Sequence, residues 1–596
     1  MRLWRRKPTK NDGQRDVIDA PVSRRMVVEG GPGTGKTATA CARVARLIDS
    51  QSVDPSAILV VSFTRIAVRE IGERVALALK DRAAAQAVAI VTLDSLAAFL
   101  SPEAEESESH DDSIRFLIPQ LPLCPALRGL RHVIVDEAHD VVGLRADLVE
   151  AMFRVLPDAC GATVFADSAQ SIYDFADRSR RPKPSLPARL VEAGMPVATL
   201  SVLYRTANPA LTDLFEQSRP VVLSERLSPA GKLKKLSRML EKAAAEIDAL
   251  PFAELADSDN DDTLILFRYR ADVLTASTKL AERGIGHRLR MSGLPSALPA
   301  WIGLTLARQD GASLGRSRFI AAWDRYVAGT DHAIVNADEA WARLYLAAPS
   351  GGEICLPSLR RKLMQASPPL DLCLPQLGTA GPVVGTIHAS KGREAEHVIL
   401  AVPNALHPAA DGQECRVLFV GATRAKQGMR RLRHDPEKTG AFPSGRLWRD
   451  GDPFMLELGM AEDIAASGLL GPPAFANAQQ VEAAQDFWAG LPPRPTSFLI
   501  DEKLNMIFEN HIVARLSSSI DHDLATLNPP RLGPFRSGRI WTLGVRTIVF
   551  APDEHPALIA PWRDSGFALA PIVAGYGILR FEETTRGSSK FLAPLV

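Results

Sequence analysis

The sequence predicts an α/β protein built on two parallel-sheet units. Short continuous apolar runs recur without polar alternation, which is how strands buried on both faces read. Stretches with helical apolar spacing separate them. The series occurs twice, and the second copy is interrupted by a less regular stretch.

In the first unit, Met26–Glu29 reads as a buried strand, followed by the Gly-rich stretch "GGPGTGKT" and a helix from Thr37 to Ile48. Ala57–Phe63 is the next strand and leads into a helix from Ile66 to about Lys80. Ala87–Leu93, His132–Asp136 and Ala162–Asp167 are three further strands. In the second unit, Thr263–Tyr269 precedes a helix from about Val273 to Arg283. Val383–His388 and His397–Val402 complete that series. Residues 292–377 look mainly helical, show no strand series and read as an insertion. Pro-rich breaks at Gly471–Pro473 and Leu491–Pro495 suggest a linker near 471–495. Beyond it lies a tail with strand-like runs such as Ile540–Phe550. The acidic run Glu103–Asp112 reads as a solvated surface loop.

A chain of 596 residues is too long for one core, so two to four domains are expected. The net charge of +1 argues against wholesale coating of nucleic acid but leaves room for a local basic channel. The six cysteines stand singly, at 41, 124, 160, 355, 373 and 415, so no zinc or iron–sulfur site is suggested. The basic start "MRLWRRKPTK" has no apolar run after it and no stretch of 18 apolar residues exists, so the expectation is a cytoplasmic protein without a membrane partner.

"GGPGTGKT" fits G-x-x-x-x-G-K-T with Gly30, Gly35, Lys36 and Thr37. Glycines such as Gly30, Gly33 and Gly35 let backbone N–H groups curl around phosphate oxygens, and the following helix adds its positive end. Lys36 would reach the β/γ-phosphates and the Thr37 hydroxyl would ligate Mg²⁺. Thr39, one turn on, is grouped with this ATP-binding loop. A phosphate loop needs a carboxylate at a nearby strand end. Asp136 fits as the Mg²⁺ ligand and Glu137 as the base that activates water. The same acidic pair also suits a cap on the next helix.

Asp136-Glu137-Ala138-His139 spells the box of a class of RNA helicases, but the residues around it decide otherwise. "NDGQRDVID" (Asn11–Asp19), "SFTRIAVREIGERV" (Ser62–Val75), "FADSAQSIYDF" (Phe165–Phe175), "LYR" (Leu203–Arg205), "TIHASKGREAE" (Thr386–Glu396) and "VGATRAKQ" (Val420–Gln427) follow one another in order. Together with the P-loop and the acidic box they resemble the motif set of the UvrD/Rep-type superfamily 1A DNA helicases. "DEAH" is then a coincidence of spelling. That family usually carries Gln or another residue where His139 stands.

The resemblance implies two RecA-like domains with a short helical insertion and an additional C-terminal region. The first would span 1–200, with a very short 1B insertion near 96–130. The second would comprise 201–291 and 378–435, interrupted by a reduced 2B-like insertion at 292–377. Residues 436–596 would be a region of unknown role. The resemblance further implies that Gln14 bonds adenine, Tyr204 stacks on it and Glu394 meets the ribose. Gln170 would sense the γ-phosphate, and Arg205 and Arg424 would be arginine fingers. Phe63 and Phe175 would be stacking platforms for bases, core packing being the other reading of Phe63. Thr64, Thr92 and His388 would meet phosphates, and Thr386 would be a further nucleic-acid contact.

The implied activity is that of an ATP-dependent 3′→5′ single-stranded DNA translocase or helicase. Two alternatives remain open: an RNA-directed superfamily 1 motor, and an ATP-gated subunit of a repair or phage-defence complex that docks a protein partner through its C-terminal region. Departures from the family pattern include Ala176 after the motif III aromatic and Arg393 in motif V.

Overall fold

The computed structural model describes residues 13–100, 110–172, 184–257, 260–378, 380–403, 412–451, 453–527 and 533–582. The parallel α/β expectation holds. The first sheet has β1 (Arg25–Gly30), β2 (Ile58–Ser62), β3 (Ala89–Thr92), β4 (His132–Val135), β5 (Gly161–Ala166) and β6 (Val197–Leu200) in the order β3-β2-β4-β5-β1-β6. Its strand pairs are all parallel. The second sheet has β7 (Ala245–Ile247), β8 (Thr263–Phe267), β9 (Arg288–Arg290), β10 (Val383–Thr386), β11 (Ala395–Pro403) and β12 (Ala425–His434) in the order β7-β12-β11-β8-β10-β9. In it β10 pairs in parallel with both β8 and β9. The central strands β2, β4, β5 and β8 are buried at every residue, which is why they read as unbroken apolar runs.

By contact density the chain divides into two units. The first comprises Met1–Glu246, Lys391–His397 and Leu406–Arg431. The second comprises Ile247–Ser390, Val398–Ala405 and Leu432–Val596.

In the first unit, helix α1 (Lys36–Asp49) follows β1 through the Gly-rich loop, and α2 (Arg65–Ala78) follows β2. Val28, Cys41, Val44, Val60 and Phe165 pack one side of the sheet, while Val27, Val61, Val133 and Val164 pack the other. The short insertion expected near 96–130 contributes Leu96, Ile114, Leu117, Leu121 and Leu127 to that second layer. These five residues are therefore part of the lobe's own core, while Phe99, Phe116 and Leu123 of the same segment stay exposed.

In the second unit the structure corrects two expectations. The insertion is not without strands: Ser313–Leu314, Pro349–Ser350 and Glu353–Cys355 form a three-stranded sheet beside its helices. Strands of two or three residues are too short to show alternation in sequence. The expected linker is also absent from 471–495. Ala478–Gly490 is helix α5 there, capped by Asn477 accepting from the Gln480 N–H at 3.0 Å. Trp488 on α5 is fully buried and its indole N–H donates to the Val513 carbonyl at 2.9 Å. The prolines bound a packed helix; punctuation of this kind does not tell whether the stretch between is tethered or folded.

Beyond the second sheet, strands from Gly440–Ala441 to Gly575–Phe581 form a ten-stranded sheet with the small strand Leu298–Pro299 of the insertion. Its long strand Phe535–Val549 pairs antiparallel with Leu298–Pro299, Thr496–Ile500, Phe567–Val573 and Gly575–Phe581. One hydrophobic cluster joins Trp301, Phe319, Leu344 and Leu359 of the insertion to Phe454, Trp488, Phe498 and Phe567. Another joins Phe267 and Leu274 to Leu543, Ile572 and Tyr576. Helix α4 (Arg270–Ala281), placed between the second sheet and this region, is buried at ten positions. Its Thr278 hydroxyl accepts from the Tyr576 N–H at 2.9 Å. The described residues after 436 are thus one folded body with the insertion and with α4.

Candidate active site

The phosphate loop sits between β1 and α1, where the sequence places it. Gly33 and Gly35 have φ of +74° and +81°, a region in which a side chain is strained. Space requires glycine there as well. A Cβ on Gly33 would lie 2.4 Å from the Arg205 Cβ, and one on Gly35 would lie 2.8 Å from the Gln14 amide nitrogen. The loop is held from outside by two residues expected at the adenine. The Gln14 amide donates to the Thr34 carbonyl at 2.9 Å, and the Tyr204 N–H donates to the Gly33 carbonyl at 2.8 Å. The Lys36 ammonium donates to the carbonyls of Gly30 and Gly31 at 3.0 and 3.2 Å. A Cβ on Gly30 would meet the Thr34 hydroxyl at 2.6 Å. Thr39 is buried and its hydroxyl donates to the Gly35 carbonyl at 2.9 Å, inside the first turn of α1.

At the end of β4 the Asp136 carboxylate accepts from the Thr37 hydroxyl at 3.1 Å and from the Glu137 N–H at 3.0 Å. Burial raises this carboxyl well above the ordinary carboxylate range, the neighbouring Glu137 adds to the rise, and Lys36 opposes it. A hydroxyl and a buried carboxylate are hard oxygen donors of the kind Mg²⁺ takes, so the pair fits that ion. Glu137 follows with φ of 51°, an uncommon conformation for a residue with a Cβ.

The end of β5 is the hub of the site. Asp167 is fully buried and caps the short turn after it, accepting from the Ala169 N–H at 3.2 Å. The Gln170 amide donates to Asp167 Oδ2 at 2.6 Å, and Gln170 Oε1 accepts from Arg424 Nη2 at 2.7 Å. The Arg424 Nε–H donates to the Val420 carbonyl at 2.9 Å. Burial lowers the Arg424 guanidinium to about 10, and the adjacent Arg205 adds to that. Arg205 donates to the Thr423 carbonyl and pairs with Glu394. Burial pushes the Glu394 carboxyl up, but Arg205, Arg424 and Lys426 outweigh it and hold the group below its ordinary value. Glu394, expected at the ribose, is thus also the counter-ion of Arg205.

Lys391 and Arg219 of this network, like Asp167 itself, have no role in the sequence reading. Lys391 donates to Asp140 and to the Gln170 carbonyl. It lies within "ASKGRE", so the motif around it was the available signal. Arg219, on α3 (Pro209–Leu223), donates to Glu29 at 2.6 Å and to Asp167 at 3.2 Å. A single Arg on a helix carries no sequence signal for that role.

The expected nucleic-acid residues fall at strand ends. Phe63 and Thr64 follow β2, and Thr92 ends the adjacent β3, where Ser62 pairs with Thr92. Phe63 is half-buried. The Thr64 hydroxyl accepts from the Ala67 N–H at 3.2 Å and the Thr92 hydroxyl from the Ser95 N–H at 3.1 Å. In the second unit Thr386 ends β10 and its hydroxyl accepts from the Ala389 N–H at 3.3 Å, with His388 half-buried beside it. Three of the expected nucleic-acid residues therefore share one local form, a threonine closing the turn after a parallel strand. Phe175 and Ala176 lie outside the described residues.

Comparison with known proteins finds two family matches. The UvrD/REP helicase N-terminal domain family matches residues 10–115. The UvrD-like helicase C-terminal domain family matches residues 383–430. No curated protein matches significantly. Among solved structures, similarity is found to a Pif1 helicase from Candida albicans at 14% identity and a TM-score of 0.36, over 72% of this chain and 94% of that one. A Pif1 helicase from Bacteroides in complex with ADP-AlF3 and ssDNA matches at 14% identity and a TM-score of 0.33, over 71% of this chain and 92% of that one. The chain thus carries UvrD-like helicase domains, one over residues 10–115, which hold the P-loop, and one over 383–430, which hold Glu394 and Arg424, and is an ATP-hydrolysing helicase.

Proposed function

We propose that this protein couples ATP hydrolysis to 3′→5′ translocation along single-stranded DNA, in the manner of the UvrD/Rep helicases. The observation that carries the reading is the buried chain Asp167–Gln170–Arg424, which ties a β5-end residue to a guanidinium beside Arg205, the residue that stands against Gly33 of the P-loop. Lys36 binds the β/γ-phosphates, and Glu137 takes the proton of the attacking water. Arg424 and Arg205 meet charge developing on the γ-phosphoryl, which a preorganised guanidinium does without reorganising solvent. Gln170 changes partners as that charge appears. Because Lys391 holds the Gln170 carbonyl, the change is felt in the segment that follows β10.

Thr37 and Asp136 would hold Mg²⁺, which would neutralise phosphate charge. Gln14 and Tyr204 take the adenine, and Glu394 faces the ribose beside Arg205. Phe63 and Phe175 stack on bases, while Thr64, Thr92, Thr386 and His388 line the backbone path. Such contacts are blind to sequence, as a translocase requires. The 3′→5′ sense is supported by the UvrD/REP match over residues 10–115.

The test is ATP turnover with no nucleic acid, with DNA homopolymer and with RNA homopolymer. The proposal expects strong stimulation by DNA. Equal or greater stimulation by RNA would turn the reading toward an RNA motor, because the 2′-hydroxyl is what separates the two.

A further inference from the structure

The only histidine in the acidic box, His139, has no role in the reaction as set out above, and its surroundings give it one. It is 1% exposed. The Asp167 backbone N–H donates to its Nδ1 at 3.1 Å. Accepting that bond requires a lone pair on Nδ1, so the neutral ring carries its one proton on Nε2. Burial also drives the ring well below its ordinary pKa, helped by Lys391, Lys36 and Arg424, so it stays neutral.

The Nε2–H is then a buried donor, and it makes no close hydrogen bond. A buried polar group in that position calls for an explanation. Two carboxylate oxygens face it. Asp140 Oδ1 is 3.8 Å away and is held by Lys391. Glu137 Oε2 is nearer, at 3.4 Å, and no other hydrogen bond holds that carboxylate among the described residues. A small rotation of the Glu137 side chain closes the contact. We infer that His139 is a positioning residue: its Nε2–H orients the Glu137 carboxylate for water activation, while its Nδ1 anchors the ring to the end of β5. The inference rests on the reading of Glu137 as the base.

Its consequence is a geometric link. The backbone of Asp167 fixes the ring and the ring fixes the base. The same Asp167 carboxylate holds Gln170. One aspartate thereby sets both the water-activating group and the γ-phosphate sensor.

The test uses the full chain with His139→Gln and His139→Met. These side chains have similar length, but only the amide can accept from the Asp167 N–H and donate to Glu137. Turnover, KM for ATP and ADP affinity are measured, with Glu137→Gln and the Glu137→Gln/His139→Met double variant alongside. His139→Met should lower kcat by about 10- to 100-fold, the scale of a misplaced catalytic group, with KM and ADP affinity within about threefold. His139→Gln should keep kcat within about threefold of the parent, and the double variant should be no slower than Glu137→Gln alone.

Parental turnover by His139→Met, with Glu137→Gln inactive, overturns the inference alone. Parental turnover by Glu137→Gln overturns the base assignment and the inference with it. If His139→Met does not fold, His139→Gln still decides: a folded, ADP-binding Gln variant that loses turnover overturns the inference.

Discussion

Arg424 donates a 2.7 Å hydrogen bond from Nη2 to Gln170 Oε1, and both side chains are buried, at 3% and 5% exposure. The two residues are 254 positions apart in sequence, so the bond depends on the fold bringing the Phe165–Phe175 and Val420–Gln427 stretches together. If the guanidinium stabilises the transferring phosphoryl, Arg424→Ala should cut maximal turnover by about 10³-fold or more, with a smaller effect on ATP affinity. Single-turnover kinetics with a nucleotide-affinity measurement checks this. A large loss of affinity at an unchanged maximal rate would reassign Arg424 to ground-state binding.

The loop lysine and the base should separate binding from chemistry. Lys36→Ala removes the charge that meets the β/γ-phosphates and should weaken nucleotide binding as well as abolish turnover. Glu137→Gln keeps the shape but cannot accept a proton, so it should bind ATP normally and turn over at least about 10²-fold more slowly. Fluorescent-nucleotide titration beside steady-state turnover distinguishes the two. Equal binding defects in both variants would remove the distinction.

His132, on β4, is buried and bonded at both nitrogens, to the Val22 carbonyl at 2.7 Å and to Thr163 Oγ1 at 2.9 Å. Burial pushes it down from 6.5 to about 4, with Arg43 contributing. As pH falls the unfolded chain takes up this proton first. The stability His132 contributes is therefore complete above pH 6.5 and lost as pH falls toward 4. His287 is shifted in the same direction in the second unit, while the raised Asp136 and Asp140 act in the opposite sense. Comparing the parent with His132→Gln isolates the one group. Their gap in unfolding free energy should narrow by about 2 kcal/mol between pH 7.5 and pH 5. A gap independent of pH would show that His132 is not held neutral.

The region after residue 436 should not behave as a removable tail. Truncation after Asp435 takes Met455, Leu543, Ile572, Ala574 and Tyr576 from the cluster that covers Phe267 and Leu274. It also strips the insertion of most of its core. Exposed apolar surface on that scale leads to aggregation. The truncated chain should be insoluble or melt without a cooperative transition. A soluble, sharply melting product would show that the second sheet needs no cover from this region.

The first unit and its P-loop were legible in the sequence because both depend on local order. Strands buried on both faces announce themselves as apolar runs, and the loop's Gly, Lys and Thr sit at fixed spacing. The C-terminal body was not legible for the opposite reason. Some of its strands are two or three residues long, and pairings such as Leu298 with Thr547 join distant segments. Trp488 looked like a residue in a linker until the partner of its indole was known. Within the site, Gln170, Arg424 and Asp136 could be named from their motifs. Arg219 could not, since what gives it meaning is Glu29, 190 positions away.

The central claim is directional movement on single-stranded DNA driven by ATP, and displacement of streptavidin from end-biotinylated oligonucleotides tests it most directly. The account predicts ATP-dependent release of streptavidin from a 5′-biotinylated strand, spontaneous-rate release from a 3′-biotinylated strand, and neither above background with Glu137→Gln. Release from the 3′ end, or release from the 5′ end that survives Glu137→Gln, would contradict it.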